Sequence, residues 1–137
     1  MLCEYTKLYS PDYSKPFIIR TDSSDYAMGC TLSQLDQDDV ERPIVFASAK
    51  LSEAQKKMSV IEKESFAVIF ALKRLDPYIF LAKVDLYSDH DPLRFIVNNA
   101  STSPRLSRWA LALTRYDLNF HHIKGEVNKV ADALSRC

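Results

Sequence analysis

Most of the 18 acidic residues in this 137-residue chain lie where hydration or helix capping accounts for them, but four need a further explanation. Glu64 lies on the apolar stripe of a predicted helix, where a carboxylate is costly to bury unless something binds it. Asp22 and Asp89 each end a predicted strand, and Asp132 lies early in the last predicted helix. Taken singly, Asp22 also fits a turn, Asp89 a helix cap and Asp132 a solvated helix face. As a set, the four carboxylates predict one acidic site.

Carboxylates that meet at one point repel one another. Two like charges about 4 Å apart cost roughly 1 kcal/mol in water and about 4 kcal/mol at an effective dielectric of about 20, so such a cluster needs cations. An all-oxygen donor set favours the hard ions Mg²⁺ or Mn²⁺ over zinc. Two such ions roughly 3.5 to 4 Å apart can clamp the attacking and leaving oxygens of an in-line phosphoryl displacement. The residue types therefore indicate two-metal phosphoryl chemistry.

The elements that must position these side chains are a series of strands and helices. Hydrophobic periodicity and turn signals predict five strands, over residues 17–22, 26–34, 43–49, 83–89 and 118–123. The same signals predict helices over residues 53–58, 60–75, 92–99, 104–115 and 129–136. Ser52, Asp91 and Asn128 are the expected N-caps, and Pro77 is expected to end the longest helix.

The order of these elements predicts an α/β fold with a mixed sheet. The first three strands follow one another through short turns, as in an antiparallel meander. The fourth strand is reached through the long helix, a connection that normally makes two strands of one sheet parallel. Ligand sites collect at the C-terminal ends of parallel strands, so Asp22 and Asp89 are expected at the same end of the sheet.

Composition excludes several other function classes. The two glycines, Gly29 and Gly125, are too far apart for a glycine-rich phosphate loop or a dinucleotide-binding fingerprint. No apolar run reaches the roughly 18 to 20 residues of a membrane span, and the N-terminus does not resemble a signal peptide, so neither a membrane partner nor secretion is expected. The cysteines Cys3, Cys30 and Cys137 form no CxxC motif, which favours a reduced intracellular setting.

The formal net charge of zero conceals a polarised chain. The net charge is −4 over residues 1–55, zero over residues 56–93 and +4 over residues 94–137. Because an acidic metal site offsets a basic C-terminal part, overall neutrality does not argue against a nucleic-acid partner.

Four motifs, in order and at family-like spacing, resemble the ribonuclease H domain of Gypsy-type long-terminal-repeat retrotransposon polyproteins. These motifs are FIIRTDSSDYAMGCTLSQ, PIVFASAKLSEAQKKMSVIEKE, LYSDHDPL and KGEVNKVADALSR, and the resemblance runs from about Tyr13 to Arg136. It implies that residues 16–137 form a ribonuclease H domain. It also implies that residues 1–15 are a tether left from the connecting segment of a preceding reverse transcriptase.

The resemblance implies a mixed five-stranded ribonuclease H-like fold with helices on both faces, and endonucleolytic hydrolysis of the RNA strand of RNA–DNA hybrids during reverse transcription. Its acidic tetrad corresponds to Asp22, Glu64, Asp89 and Asp132. The implied cofactor is two Mg²⁺ ions, for which Mn²⁺ can substitute. Asp22 would bridge both ions, Glu64 and Asp89 would hold one, and Asp132 would complete the second.

The implied partners are the RNA–DNA hybrid and a reverse transcriptase domain in the same polyprotein. The isolated domain is expected to be a monomer, in a cytoplasmic retrotransposon particle. Candidates for phosphate contact are Arg105, Arg108, Lys124 and Lys129. A solvated helix face with Trp109 in the core accounts for the two arginines about equally well. Ser23 and Ser24 could contact the nucleic-acid backbone or 2′-hydroxyls, although hydroxyl side chains are common in turns.

The sequence departs from cellular ribonucleases H in one loop. Those enzymes carry a histidine before the last helix, where this chain has KGEV. We assign no catalytic role to His90, His121 or His122. Two rival functions stay open, namely a non-catalytic hybrid-binding or structural module of a reverse transcriptase, and a nuclease or strand-transfer domain of the wider superfamily.

Overall fold

The computed structural model describes residues 6–7 and 9–123, and its central feature is a mixed six-stranded sheet. The strands are β1 (Thr6–Lys7), β2 (Phe17–Ser23), β3 (Ala27–Leu35), β4 (Glu41–Lys50), β5 (Lys83–Ser88) and β6 (Asp117–His122). The helices are α1 (Glu53–Lys56), α2 (Val60–Ile79), α3 (Pro92–Asn98) and α4 (Pro104–Leu113). Within the described residues, no helix is long and apolar enough to cross a membrane.

The sheet confirms the expected strand arrangement. Its order is β1-β4-β3-β2-β5-β6. Strands β2, β3 and β4 form the antiparallel meander, whereas β5 runs parallel to both β2 and β6. All five predicted strands are present, and β1 adds a two-residue sixth strand at the edge beside β4. The long connection through α2 therefore produces the parallel pair that the sequence predicts.

The hydrophobic core lies between this sheet and α2. On β5 the side chains of Val84, Leu86 and Ser88 are buried while those between them are partly exposed, as period-two alternation requires. The first two join Leu72 and Leu75 of α2 in the main core cluster. Helix α3 packs against α2 and α4 packs against both, so these three helices form one layer.

Helix α2 extends beyond its predicted end. Pro77 was expected to terminate it, but the helix continues to Ile79 with Pro77 inside the last turn. Proline removes a single N–H donor. The N–H of Phe80 still donates to the carbonyl of Asp76 at 3.0 Å, so the turn closes around Pro77. The prediction failed because a proline in a final turn disrupts only one backbone hydrogen bond.

The helix starts follow the predicted caps within the described residues. Ser52 and Gln55 form a reciprocal capping box at α1. At the start of α3, the side chain of Asp91 accepts a hydrogen bond from the N–H of Arg94, and Pro92 is the first residue of the helix. The helix predicted over residues 129–136, with Asn128 as its N-cap, lies outside the described residues.

The segment before β2 is attached to the sheet by Gln34, a fully buried side chain on β3. The Gln34 amide donates to the carbonyls of Asp12 at 2.7 Å and Lys15 at 3.2 Å, and its oxygen accepts from the N–H of Asp12 at 2.8 Å. Tyr13 also packs edge-on against Phe17. Residues 12–15 of the expected tether thus contact the domain, while their origin in a preceding reverse transcriptase stays a prediction.

A polar ladder crosses the sheet face opposite α2. Arg20 donates to both carboxylate oxygens of Glu41, at 3.0 and 2.8 Å, and Ser33 donates to the same carboxylate. The Arg20 guanidinium also lies 4.4 Å from the centre of the Tyr87 ring, which stacks on His121. These contacts link β4, β3, β2, β5 and β6, so the ladder helps to hold the register of the sheet.

The Arg20–Glu41 pair predicts a loss of stability in acid. Hydrogen bonds from Arg20 lower the pKa of Glu41, burial opposes them, and Ser33 lowers the pKa further. Because the folded pKa lies below the unfolded value of about 4.3, the pair stabilises the fold above that pH and is lost as the pH falls through the folded pKa. We expect the urea concentration at the midpoint of unfolding to decrease as the pH is lowered from about 6 to about 3. In Glu41→Gln this decrease should be smaller. Glu53→Gln, at an exposed position, should keep the pH dependence of the wild-type midpoint. If the midpoint of Glu41→Gln decreases as steeply as that of the wild type, the Arg20–Glu41 pair is not the source of the acid sensitivity.

Candidate active site

Two of the predicted acidic residues lie at the C-terminal end of neighbouring parallel strands. The last paired position of β2 and β5 is Arg20 with Tyr87, and Asp22 and Asp89 each follow it by two residues. The Asp22 side chain is buried, with 5% of the residue exposed, and Asp89 is half-buried. Because β2 and β5 are parallel neighbours, Asp22 and Asp89 lie at the same end of the sheet, as the sequence predicts.

Glu64 reaches the same end of the sheet from α2. Glu64 is 3% exposed, and a carboxylate buried to that extent requires polar contacts. The Ser23 hydroxyl donates to Glu64 Oε1 at 3.1 Å, which ties the helix to the end of β2. The Nδ1 atom of His90 lies 4.0 Å from the same oxygen. Neighbours of both Asp22 and Asp89 therefore approach the Glu64 carboxylate.

The donor chemistry of these three residues fits a hard divalent cation, because their carboxylates supply only oxygen and two of them are buried. Within residues 9–123, however, no group of three or more His, Cys, Asp or Glu side chains could hold a metal ion as arranged. Asp132, the fourth predicted ligand, lies outside the described residues. The structure places Asp22 and Asp89 at the same end of two parallel strands and Glu64 in contact with Ser23 next to Asp22, while the role of all four carboxylates as ligands stays a prediction.

The serines that follow Asp22 have different roles in the fold. Ser23 contacts Glu64, as described above. Ser24 forms a local turn, because its Oγ accepts from the N–H groups of Tyr26 and Ala27. That turn connects β2 to β3 directly beside Asp22. Hybrid contact by either serine stays a prediction.

The basic residues of α4 are only partly available to a ligand. Arg105 lies 3.8 Å from a carboxylate oxygen of Glu62 on α2, and Arg108 is exposed. Trp109 is buried and stacks on Phe66, with ring centres 5.8 Å apart, so it belongs to the core. Lys124 and Lys129 lie outside the described residues, and phosphate contact by all four predicted basic residues stays a prediction.

The histidines separate into two groups. His121 Nε2 lies 3.0 Å from Asp85 Oδ1 and the ring stacks on Tyr87, so His121 belongs to the polar ladder of the sheet. His122 is exposed. His90, to which the sequence analysis also assigns no catalytic role, lies beside Glu64 in the structure. The sequence feature that could have indicated this location is the position of His90 directly after Asp89.

Solved structures with the same fold define the class as ribonuclease H-like. A foamy viral protease-reverse transcriptase, solved in complex with an RNA/DNA hybrid, matches 86% of this chain and 16% of that one, with a TM-score of 0.68 and 17% identity. The RNase H1 of the archaeon Halobacterium salinarum matches 87% of this chain and 93% of that one, with a TM-score of 0.63 and 18% identity. At these identities the similarity establishes the fold alone.

The chain belongs to the family of RNase H-like domains found in reverse transcriptase, whose model matches residues 12–116. The Pol polyprotein of the Drosophila melanogaster transposon opus is 38% identical over 137 residues, which cover 99% of this chain and 14% of that polyprotein. The Tf2-3 transposon polyprotein of Schizosaccharomyces pombe is 38% identical over 129 residues, covering 91% of this chain and 10% of that polyprotein. The resemblance to retrotransposon polyproteins is thus confirmed, and the chain spans about a seventh or less of these relatives.

Proposed function

We propose that this chain hydrolyses the RNA strand of RNA–DNA hybrids during reverse transcription of a retrotransposon. The observation that carries the proposal is that Asp22 and Asp89 follow the paired part of two parallel strands at the same end, where Ser23 and His90, the residues next to them, approach the Glu64 carboxylate. Membership of the reverse-transcriptase RNase H-like family supports it. The RNA/DNA hybrid bound by the foamy viral enzyme supports the same substrate class.

Asp22, Glu64 and Asp89, together with Asp132, are the residues that would hold two Mg²⁺ ions, or Mn²⁺ in their place. When bound, such ions supply charge stabilisation at the attacking and leaving oxygens of the phosphodiester. Buried carboxylates suit this task because water competes little with them for the cation.

The protein itself contributes by fixing the positions of these carboxylates. The hydrogen bond from Ser23 restrains Glu64, and the β2–β5 register restrains the backbone at Asp22 and Asp89. Restraint of this kind lowers the entropy that must be lost when ions and substrate bind. Glu64, which lies within reach of the end of β2, is also the carboxylate we assign to orient the ribose 2′-hydroxyl, the group that distinguishes RNA from DNA.

The decisive experiment is cleavage of an end-labelled RNA–DNA hybrid by the 137-residue chain, with Mg²⁺, with Mn²⁺ and with chelator. We expect cleavage of the RNA strand in either metal, none in chelator, and none of the matching DNA duplex. Binding of the hybrid without cleavage in any metal would instead support a non-catalytic module. The partner reverse transcriptase domain can be added in trans if turnover is low.

Neutralising Asp89 should not destabilise the metal-free protein. Like charges at the end of the sheet repel one another, by roughly 1 kcal/mol for a solvated pair at about 4 Å. We therefore expect the melting temperature of Asp89→Asn in chelator to equal or exceed that of the wild type. A marked decrease would show that Asp89 has a structural role, and Asp91→Ala, which removes the side-chain cap of α3, provides the comparison.

A further inference from the structure

Three polar side chains of β5 and β6 meet on the sheet face opposite α2. Asp85 pairs directly with Asn119 in the parallel register, and His121 follows Asn119 by two residues on the same face. The side chains of Asp85 and His121 are 32% and 38% exposed, so solvent reaches both. Among the described residues β6 is an edge strand that pairs with β5 alone. The three side chains therefore connect an edge strand to its neighbour in the sheet, and we refer to them as the β5–β6 triad.

One atom from each member of the β5–β6 triad contributes to a nearly regular triangle. His121 Nε2 lies 3.0 Å from Asp85 Oδ1. The amide nitrogen of Asn119 lies 3.2 Å from that oxygen and 3.3 Å from His121 Nε2. Each of the three polar atoms thus lies within hydrogen-bond distance of the other two.

Hydrogen bonding cannot satisfy all three sides of this triangle at once. If His121 Nε2 carries a proton, it donates to Asp85 but cannot accept from Asn119. If it carries none, it accepts from Asn119 but its lone pair faces the carboxylate of Asp85. Rotating the Asn119 amide exchanges its oxygen and nitrogen, and then two acceptor oxygens face each other. One side of the triangle is unfavourable in every arrangement.

A single cation inside the triangle satisfies all three atoms together. With the amide rotated, the ligands are an imidazole nitrogen, a carboxylate oxygen and an amide oxygen. Two donors bound about 2.1 Å from one metal ion lie about 3.0 Å apart at a right angle and about 3.4 Å apart in a tetrahedron. The observed sides of 3.0–3.3 Å fall in this range. An imidazole nitrogen favours zinc and other divalent transition metals, whereas Mg²⁺ prefers oxygen ligands alone.

The surroundings of the β5–β6 triad hold its imidazole in place and give an ion access. The ring of His121 stacks on Tyr87, with ring centres 4.6 Å apart and an interplanar angle of 15°. The Arg20 guanidinium contacts the Tyr87 ring in turn, 4.4 Å from its centre. Asp85 also lines a cavity of about 240 Å³, which has room for an ion with its remaining waters. A ligand set restrained in this way loses little entropy when a metal binds.

We propose that Asp85, Asn119 and His121 bind one divalent transition-metal ion of the zinc class, which cross-links β5 to the edge strand β6. The site is separate from the predicted Mg²⁺ site, because Asp85 precedes Asp89 by four residues, or about 13 Å of strand. It does not depend on the proposed cleavage of hybrids, since no member of the β5–β6 triad is a predicted Mg²⁺ ligand. The bound ion stabilises the folded chain, because the unfolded chain does not hold the three ligands together.

The test is a titration of the 137-residue chain with Zn²⁺, in excess Mg²⁺, followed through the ¹⁵N resonances of the histidine rings. The chain has three histidines, so His121 is observed apart from His90 and His122. We expect the Nε2 resonance of His121 to shift saturably. If Zn²⁺ leaves that resonance in place while it shifts those of His90 or His122, the proposal is wrong.

Asn119→Asp separates a metal site from a hydrogen-bonded cluster, because the two predict opposite effects. Without metal, a second carboxylate beside Asp85 is repelled, so the melting temperature should decrease. With Zn²⁺, the added charge should strengthen binding at His121 at least about tenfold. Asp85→Asn should weaken that binding by a similar factor.

His122→Ala is the matched control, since His122 is exposed and alternation along β6 places it on the other face. It should keep the Zn²⁺ affinity at His121 within about twofold of the wild-type value. Circular dichroism verifies that each variant folds. A Zn²⁺ affinity in Asn119→Asp that does not exceed that of the wild type would overturn the proposal.

Discussion

Asp22→Asn is expected to reduce metal-dependent cleavage of an RNA–DNA hybrid by a factor of at least about 10³ while leaving the fold intact. The substitution keeps the shape of the side chain but removes the negative charge that would bridge two divalent cations. Because Asp22 lies at the end of β2, beyond its pairing with β5, the sheet does not depend on that charge. Initial rates at saturating Mg²⁺, with circular dichroism of the variant, measure both parts of the expectation.

Asp25→Asn is the matched control for this experiment. Asp25 lies in the turn that follows β2, its side chain is 84% exposed, and it forms an ion pair with the Lys63 ammonium group at 3.5 Å. It should retain cleavage within about twofold of wild type, since a surface ion pair contributes little. If Asp22→Asn cleaves as fast as Asp25→Asn, the assignment of the site is wrong.

Gln34→Ala is expected to have the largest effect on stability, lowering the free energy of unfolding by about 2–4 kcal/mol. The fully buried amide makes hydrogen bonds to the backbone of Asp12 and Lys15. Its removal takes these hydrogen bonds from the segment, leaves the Asp12 carbonyl with only its bond from the N–H of Lys15, and opens a cavity beneath the segment that leads into β2. Urea unfolding followed by circular dichroism measures the loss.

Gln37→Ala controls for the change of residue type. Gln37 is exposed in the turn between β3 and β4, so its replacement should change the free energy of unfolding by no more than about 0.5 kcal/mol. Limited proteolysis within residues 9–16 should accelerate in Gln34→Ala and not in Gln37→Ala. Equal stability of the two variants would show that the segment before β2 does not depend on Gln34.

Sequence patterns predicted the local structure of this domain well, because each rests on interactions between residues close in the chain. The alternation in β5 and the caps at Ser52 and Asp91 all appear as expected. Pro77 is the exception, since a proline in a last turn removes one N–H donor and the N–H of Phe80 still closes that turn on Asp76. Gln34 had no sequence signal, because its partners are about twenty residues away.

The sequence by itself determined which side chains could form an acidic site, because a carboxylate on an apolar helical stripe, such as Glu64, is costly to bury unless it binds a polar group or a cation. It also predicted Asp22 and Asp89 at strand ends, and the structure places them one residue before the end of β2 and one residue after the end of β5. Only the tertiary structure decided that Ser23 and His90 approach Glu64, and that His121 instead joins Asp85. Such contacts depend on the position of α2 on the sheet and on the register of the strands. Packing across the whole core determines that position and that register.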